Sequence, residues 1–514
     1  MISNTIVRKN AYYDSVTLMS LSSKILELDG IEEAVISMGT EMNKELLENV
    51  ELSNEETRGA SNNDLIIAIK AINNEVYEEA LKIIDESLNS KKKGKEKKDR
   101  NPKTIVSALK EMNDGNLAVI SVPGQYAARE AKIALENGLN VMLFSDNVDL
   151  KDEKALKELA KDKGLLVMGP DCGTASINNT GLCFANKVEK GNIGLVAASG
   201  TGLQEVMVQI DRLGGGISQA IGTGGRDLKE EIGGIMMLEG LKALDRDENT
   251  DVIVLISKPP AKKVEKKILE QVKNIKKQVV ICFIEGDSEK VEKSNAIFAD
   301  NLYNAAKKAV EASGLEIKLE LRKNDNNEIN RKITEAKSKL NDNQKYLRGL
   351  FGGGTLCAEA LYILRDKLTG IQSNVAKREE EKLKDINNYN GNVLLDLGED
   401  EFTVGKPHPM IEPTLRLDKI KETAKDESVG VVLMDFELGY GSHEDPVGVT
   451  ISTIEEAQQI AKKDGRNIIF VVYVCGTSKD KQDYKKQIQM LENEDIIIAE
   501  SNVEAANIVA NILS

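Results

Sequence analysis

The sequence predicts an α/β protein with several parallel-sheet, three-layer domains and a small α+β domain at its N-terminus. Two observations indicate this class. From Thr104 onwards, continuous runs of Val, Ile and Leu alternate with helical patterns, which is typical of parallel sheets that helices cover on both faces. The chain also has no Trp and only 4% aromatic residues, so its cores are expected to be aliphatic, as suits such sheets.

Four domains are expected along the 514 residues. Residues 1–90 contain three strand-like and two helical segments, which predict the small α+β domain. Three α/β domains follow it, over 104–188, 191–315 and 345–514. The basic, Gly-containing stretch 91–103 and the charged, weakly patterned stretch 316–344 are interpreted as connectors.

The second and third α/β domains share the order of their segments. Residues 200–206 ("GTGLQEV") and 354–360 ("GTLCAEA") both have Gly-Thr followed by Glu at the same spacing. In both domains an acidic, turn-rich loop and two apolar strands come next. Because such an echo is typical of an internal duplication, we predict that residues 192–290 and 346–490 superpose as copies of one parallel domain. An antiparallel sheet in either range would contradict this.

Composition argues against several classes of protein. The formal net charge is −15 and no domain is basic, so a nucleic-acid surface is not expected. Neither a run of about 18 apolar residues nor an apolar signal segment is visible, so no membrane span or export is expected. The five cysteines are far apart and form no C-x-x-C pair, which argues against a disulfide framework or a metal site and favours the cytoplasm.

Two glycine-rich turns between a strand and a helix are the strongest candidates for a binding site. They are "SGTG" (Ser199, Gly200, Thr201, Gly202) and "GGGT" (Gly352, Gly353, Gly354, Thr355). At such a turn the first helical N–H groups lack partners and the helix dipole adds positive charge. Glycine lets an anion approach the backbone closely, and the hydroxyls add donors or a helix cap. Each turn is therefore predicted to bind phosphate or carboxylate; the alternative is an ordinary tight turn.

Single residues near strand ends are weaker candidates. Arg226, in "GTGGRD", is suited to pair with a substrate carboxylate, although a surface ion pair with Asp227 is an equally simple explanation. His443, in "GYGSHED", follows a buried strand and is a candidate for acid–base or ligand work. His408 lies between two prolines and is a second candidate. An ordinary loop histidine is the alternative for both.

Two strand ends in the first α/β domain carry further loops, "SVPGQYAA" and "MGPDCGT". Neither contains G-x-G-x-x-G, so a nicotinamide dinucleotide is not supported. Cys172 and Cys357 adjoin glycine turns, but nothing around them indicates the lowered pKa that a nucleophilic thiol needs. Asp435 and Glu437 either neighbour the site or simply end their strand.

Three stretches together resemble a known family. "SVPGQYAA", "MGPDCGT" and "GNIGLVAASGTGLQEV" occur in this order and at these distances in the alpha subunit of succinyl-CoA synthetase and in other NDP-forming acyl-CoA synthetases, and "GTGGRD" takes the place of their next Gly-rich loop. The resemblance, over about 115–290, implies a Rossmann-like CoA-binding-type domain, flavodoxin-like domains, and glycine turns that lie close together. It also implies CoA-type loops at Ser121, Pro123, Gly124, Pro170, Asp171 and Cys172.

The third α/β domain, with "GGGTLCAEAL", "DLGEDEFTVGKPHPMI" and "LGYGSHEDP", resembles the FdrA branch of this family. There it is similar to a fused copy of the synthetase beta subunit's C-terminal domain. FdrA proteins resemble the large subunit of oxamate carbamoyltransferase, which exchanges oxalurate and phosphate for oxamate and carbamoyl phosphate in anaerobic allantoin breakdown. This implies a carbamoyltransferase that acts on small anions with companion subunits, with CoA or phosphate as candidate ligands. The sequence does not decide whether the chain also forms a homo-oligomer.

Two departures from the synthetases bear on this activity. No histidine follows "VVICFIEG", where the synthetases carry a phosphohistidine, and residues 1–103 are too short for an ATP-grasp domain. A phosphate relay from ATP is therefore not expected. Two alternatives stay open: an acyl-CoA ligase that takes its ATP chemistry from a partner, and a non-catalytic scaffold. Thermal stabilisation by CoA, by carbamoyl phosphate or by neither would separate the three.

Overall fold

The computed structural model of the protein describes residues 2–11, 13, 15–26, 28–50, 52–93, 102–112, 114–317, 326–403, 407–494 and 496–514. They form two compact units. The first comprises the described residues of Met1–Pro102 together with Pro407, and the second holds the described residues of Lys103–Thr403 and His408–Ser514. In the described part of the chain, no helix is both long and apolar enough to cross a membrane.

The first unit is an antiparallel sheet with helices on both faces. Its elements are β1 (Ile2–Arg8), α1 (Ser15–Leu26), β2 (Ile31–Met38), α2 (Glu41–Asn49), α3 (Glu55–Arg58), β3 (Leu65–Ala71) and α4 (Asn74–Lys93). The central strand β3 pairs with β1 and β2. Because side chains alternate along a strand, Ile67 and Ile69 pack with α1 and α4, while Ile66 and Ala68 pack against Leu47. The small α+β domain predicted at the N-terminus is confirmed.

The second unit begins with a three-stranded parallel sheet. Its elements are α5 (Ile105–Leu109), β4 (Leu117–Ile120), α6 (Gly124–Glu136), β5 (Asn140–Leu143), α7 (Leu150–Lys163) and β6 (Val167–Met168), and the strands lie in that order across the sheet. Helix α6 buries Ala127, Ala131 and Ala134, whose spacing of four and three residues places them on one face. The carboxyl ends of the three strands therefore share one edge.

A second, seven-stranded sheet follows. Its elements are β7 (Thr174–Ile177), β8 (Thr180–Cys183), β9 (Lys190–Ala197), α8 (Gly200–Arg212), β10 (Ile217–Gly222), α9 (Ile235–Arg246), β11 (Val252–Ser257), α10 (Lys262–Val272), β12 (Gln278–Phe283), α11 (Ser288–Glu292), β13 (Ile297–Phe298) and α12 (Leu302–Ala312). Strands β9 to β13 pair in parallel, in the order β10-β9-β11-β12-β13. The hairpin β7–β8 adds antiparallel to β10, so these residues extend this sheet rather than the preceding one.

The last sheet is parallel throughout. Its elements are α13 (Asn326–Lys339), β14 (Tyr346–Phe351), α14 (Gly354–Leu364), β15 (Gln372–Ser373), a 3-10 turn (Glu379–Glu381), β16 (Val393–Asp396), α15 (Asp400–Thr403), α16 (Thr414–Ala424), β17 (Val429–Glu437), α17 (Gly448–Lys463), β18 (Ile469–Cys475), α18 (Tyr484–Glu492), β19 (Ile497–Ala499) and α19 (Asn502–Leu513). Its order is β15-β16-β14-β17-β18-β19.

The two large sheets have the same topology. Both place their strands in the order 2-1-3-4-5, which is the flavodoxin-like arrangement, and β15 is an extra edge strand of the second. The duplicated, parallel, flavodoxin-like domains predicted from the sequence are thereby confirmed as a fold class. We call them the first half (β9–α12) and the second half (β14–α19). The helices α8, α12, α14 and α19 contribute to one apolar cluster that both halves share.

Two buried glutamates connect the halves reciprocally. Glu359 on α14 accepts a 2.7 Å hydrogen bond from the backbone N–H of Leu302, the first residue of α12 in the other half. Glu205 on α8 accepts the hydroxyl of Tyr473 on β18, and the backbone of Asn502, the first residue of α19, also hydrogen-bonds to it. Each half therefore supplies a carboxylate at the start of the other half's last helix, where N–H groups lack helical partners.

Candidate functional site

The first glycine turn presents free backbone N–H groups. The apolar strand β9 ends, and the Ser199 hydroxyl caps α8 by accepting the N–H of Gly202 at 2.9 Å. Within the described part of the chain, the N–H groups of Gly200 and Thr201 meet no acceptor. A Cβ at Gly200 would lie no closer than 3.5 Å to another atom, the Thr174 Oγ1, so this face of the turn is open. The helix dipole favours an anion here.

The second glycine turn already holds an anion of the protein itself. The N–H groups of Gly352 and Gly353 donate to the two carboxylate oxygens of Asp435 on β17, at 2.7 and 2.8 Å. Asp435 also accepts the Arg416 guanidinium at 2.9 Å. Asp435 thus occupies the Gly353 N–H in this structure, and binding of a phosphate or carboxylate at the second turn stays a prediction. Thr355 is nevertheless at the start of α14, as expected.

The two turns meet. The hydroxyl oxygens of Ser199 and Thr355 are 2.6 Å apart, and the Thr355 N–H donates to Thr201 Oγ1 at 3.3 Å. The predicted closeness of the turns is confirmed. Since the N-termini of α8 and α14 converge, both helix dipoles act on one point. That an anion binds there stays a prediction. We call this place the junction (Ser199–Gly202 and Gly354–Thr355).

Two charged residues that the sequence analysis missed stand beside the junction. A Cβ at Gly354 would overlap with Asp396 Oδ2 and would lie 3.5 Å from Lys258 Nζ. Asp396 is the last residue of β16, and Lys258 follows β11 in the other half. Burial raises the pKa of Asp396 to about 7, against the influence of Lys258, which lowers it. The sequence signal that could have identified these two residues is a charged side chain at the end of an apolar strand, as in "VIVLISK" and "VLLD".

His408 lies next to Asp396. Its Nε2 is against Gly398, whose N–H is held by Asp396 Oδ1 at 2.9 Å. Its Nδ1 accepts the N–H of Met410 at 3.2 Å, and its ring is 5.8 Å from that of Phe184. Burial and, secondarily, the Arg416 cation lower the pKa of His408 to about 4. His408 is therefore a neutral imidazole at neutral pH.

His443 faces a different cleft. This cleft is also lined by Arg416 and Glu437, which contact the second glycine turn from behind, at Gly352. The Nδ1 of His443 accepts the N–H of Asp445 at 3.0 Å, which leaves its Nε2 as the available nitrogen. Burial and then the neighbouring Asp435 raise the pKa of Glu437 well above its usual value. The structure thus places His443 beside the second turn's supporting carboxyls, and its catalytic role stays a prediction.

Arg226 is already paired. Its Nε lies 2.9 Å from Glu153 Oε2 on α7, and its Nη2 donates to the carbonyl of Val148 at 2.6 Å. Glu153 also binds the fully buried Lys157, which in turn contacts Asp227 at 2.9 Å. Arg226 therefore contacts Glu153 and Val148 rather than forming a surface pair with Asp227, and its role towards a substrate carboxylate stays a prediction. It belongs to a network that fixes the "GTGGRD" loop against the three-stranded sheet.

The CoA-type loops come together around Ser145, which follows β5. Its hydroxyl accepts the N–H of Val122 at 3.0 Å, and its carbonyl accepts the N–H of Asp171 at 3.0 Å. The first loop (Ser121, Pro123, Gly124) and the second (Pro170, Asp171, Cys172) therefore flank one point at the carboxyl edge of the sheet. Burial raises the pKa of the Cys172 thiol to about 12, which does not suit a nucleophile.

Comparisons with known proteins cover most of the chain. Three family profiles match it: "AllF, heavy metal-associated domain" over residues 1–104, "CoA binding domain" over 188–286, and "CoA-ligase" over 350–512. Protein YahF of Escherichia coli (strain K12) is 48% identical over 501 residues, which are 97% of this chain and 96% of YahF. The chain belongs to the YahF family.

A more distant relative of this YahF-family chain is a synthetase subunit. Subunit alpha 2 of the ADP-forming succinate–CoA ligase of Archaeoglobus fulgidus is 29% identical over 157 residues, 30% of this chain and 53% of that subunit, so the chain spans about half of it. The dinucleotide-forming acetyl-coenzyme A synthetase 1 of Ca. Korarchaeum cryptofilum aligns with a TM-score of 0.28 and 15% identity, over 77% of this chain and 82% of that one. The acyl-CoA synthetase resemblance is confirmed; the one to oxamate carbamoyltransferase stays a prediction.

The name of the N-terminal profile implies a heavy metal, but the donor set does not fit one. Residues 1–104 contain neither Cys nor His, so methionine thioethers are the only soft donors in this range. In the ranges that the structure describes, no three His, Cys, Asp or Glu side chains are grouped so as to hold a metal ion. No metal-dependent step is therefore assigned to this domain.

Proposed function

We propose that the protein carries out phosphate-dependent carbamoyl transfer to or from oxamate, as one subunit of a complex. The observation that carries this proposal is the Ser199–Thr355 contact, which brings two helix N-termini to one point. Phosphate and carbamoyl phosphate are small anions, and the free N–H groups of Gly200 and Thr201 suit them. The substrate's identity rests on the FdrA resemblance.

The charge balance at the junction supports transfer without a phosphohistidine. Lys258 supplies a cation from the first half, and the two dipoles add to it. Oriented donors near a developing oxyanion are what such a transfer needs. Asp396 and Asp435 limit the site to one anion, because their carboxylates would repel a second phosphate.

The test is an assay of the full chain with its co-purified companion proteins, oxamate and carbamoyl phosphate. Phosphate release that requires oxamate, together with formation of oxalurate, is the expected result. The chain alone should show little activity, since the proposal assigns it only one part of the complex. Phosphate release that is independent of oxamate would contradict the proposal. So would robust formation of a CoA thioester without any release.

The second candidate is an acyl-CoA ligase that takes its ATP chemistry from a partner. The CoA-binding and CoA-ligase profiles over 188–286 and 350–512 favour it. We expect no autophosphorylation with ATP or GTP, because the chain has no histidine after "VVICFIEG". Stable label on His408 or His443 after incubation with radiolabelled nucleotide would instead support the ligase, as would a rise in melting temperature with CoA but not with carbamoyl phosphate.

A further inference from the structure

Asp396 is a buried carboxyl with one oxygen held and the other available. Its side chain is 3% exposed. Oδ1 accepts the Gly398 N–H, whereas Oδ2 points at Gly354 and, among the described residues, has no hydrogen-bond donor. A carboxyl that served only to brace the Gly398 loop would need Oδ1 alone. The orientation of Oδ2 towards the first residue of α14 therefore calls for another explanation.

Lys258 reaches the same point from the first half. Its Nζ lies 3.9 Å from Glu399 Oε1, too far for a strong hydrogen bond, and its side chain remains 32% exposed. The ammonium group is thus near enough to act on Asp396 and free enough to contact a ligand. Because the two residues come from different halves, only the packing of the halves creates this pair.

We propose that Asp396 and Lys258 are the proton-transfer pair of the junction, with Lys258 binding phosphate and Asp396 exchanging the proton. The proposal rests on the carbamoyl transfer proposed above. Towards oxalurate, the oxamate amide nitrogen forms a bond to the carbamoyl carbon, and the bond from that carbon to the phosphate oxygen breaks. The proton on the attacking nitrogen passes to Asp396 Oδ2. It then passes to the departing phosphate, which restores the carboxylate.

The surroundings of Asp396 suit this exchange. A general base works best with a pKa near the working pH, and burial holds that of Asp396 at about 7. The titratable groups that face it from every side are Lys258, Glu399, Asp435, His408 and Cys357. Of these, only Lys258 carries positive charge. Its removal should therefore raise the pKa of Asp396 and weaken anion binding together.

Activity of the complex tests the pair. Asp396→Asn keeps the acceptor for Gly398 but cannot take a proton, so kcat should fall by about 100-fold or more, without a rise in KM for carbamoyl phosphate. The rising limb of the pH–rate profile near neutrality should vanish with it. Lys258→Met should mainly raise KM for carbamoyl phosphate, by about tenfold. The controls are Asp251→Asn and Lys266→Met, both outside the junction.

Binding of inorganic phosphate to the full chain tests the roles of Asp396 and Lys258 even if the complex does not transfer carbamoyl groups. By calorimetry at pH 8, Lys258→Met should bind phosphate at least tenfold more weakly than wild type, and Asp396→Asn more tightly. If both variants bound phosphate with the wild-type affinity, the assignment of Asp396 and Lys258 as the proton-transfer pair would be wrong. An active complex in which Asp396→Asn keeps full kcat would also overturn it, while leaving the proposed function standing. An inactive wild-type complex with the expected binding shifts would refute the function alone.

Discussion

The hydroxyl oxygens of Ser199 and Thr355 lie 2.6 Å apart, although 156 residues separate them in the chain. Each stands at the start of a helix that follows the first strand of its own half. The pseudo-symmetry of the duplicated fold thus places two helix N-termini face to face. Neither half alone would form this site, since each provides one side of it.

Ser199 should matter for activity more than for stability. Ser199→Ala removes a helix cap and a junction hydroxyl, whereas Ser501→Ala removes only the cap of α19, which accepts the N–H of Glu504 at 3.1 Å. Both should lower the free energy of unfolding by about 1 kcal/mol. Only Ser199→Ala should weaken phosphate binding, as measured by calorimetry. Equal binding by the two variants would show that the junction hydroxyl has no part in the site.

The two turns should respond differently to added bulk. A Cβ at Gly200 has space, so Gly200→Val should fold normally and lose phosphate binding by at least tenfold because its side chain blocks the open face. A Cβ at Gly354 would overlap with Asp396, so Gly354→Val should also lower the melting temperature. Calorimetry and thermal melts distinguish the two effects. Unchanged binding and activity in both variants would place the site elsewhere.

The Lys157 network should be a major source of stability in the second unit. Lys157→Met leaves Asp227 buried without its cation and Glu153 with Arg226 alone, and breaking such a buried pair typically costs about 3–5 kcal/mol. The matched control, Lys266→Met, breaks an exposed contact with Glu270 and should cost less than about 1 kcal/mol. Thermal melts of the full chain measure both. A similar melting temperature for the two variants would contradict this account of the network.

Arg226→Lys should destabilise the "GTGGRD" loop without changing the binding of the substrate. Lysine cannot keep both the Glu153 ion pair and the Val148 hydrogen bond, because it lacks the guanidinium fork. We therefore expect a lower melting temperature with an unchanged KM for oxamate. A selective rise in that KM would restore the direct carboxylate contact that the sequence alone suggested.

Glu359 should make stability depend on pH. Burial raises its pKa to about 7, although the hydrogen bonds from Leu302 and Asn502 oppose this. A carboxyl whose pKa is higher in the folded than in the unfolded state destabilises the fold as the pH rises. The free energy of unfolding should therefore decline between about pH 4.5 and 7, by up to about 3 kcal/mol from this group.

Glu359→Gln tests this dependence, because glutamine still accepts the Leu302 N–H but does not titrate. Urea unfolding followed by circular dichroism, at pH 5 and pH 8, should show a smaller difference for Glu359→Gln than for wild type. Glu248→Gln, in an exposed loop, is the control. The same pH difference in wild type and Glu359→Gln would rule out Glu359 as its source.

The parallel fold could be foreseen, since apolar periodicity and the echo of "GTGLQEV" in "GTLCAEA" depend on local sequence, whereas the meeting of the turns was implied by the resemblance to the synthetases. The occupancy of the second turn could not be foreseen, because Asp435 lies 82 residues beyond Gly353 and joins it only through β17. Lys258 and Asp396 were missed for the same reason. The ion pair of Arg226 with Glu153 could not be foreseen either, because Glu153 comes from another sheet's helix.

The reciprocal capping by Glu205 and Glu359 couples the stability of the two halves. Each glutamate caps the last helix of the half in which it does not reside, so a substitution in one half acts on the other. The loops at the strand ends differ in charge, as Lys258 and Glu437 show near the ends of β11 and β17. Unfolding of either half would remove a cap from the other, and the two halves are therefore expected to unfold together.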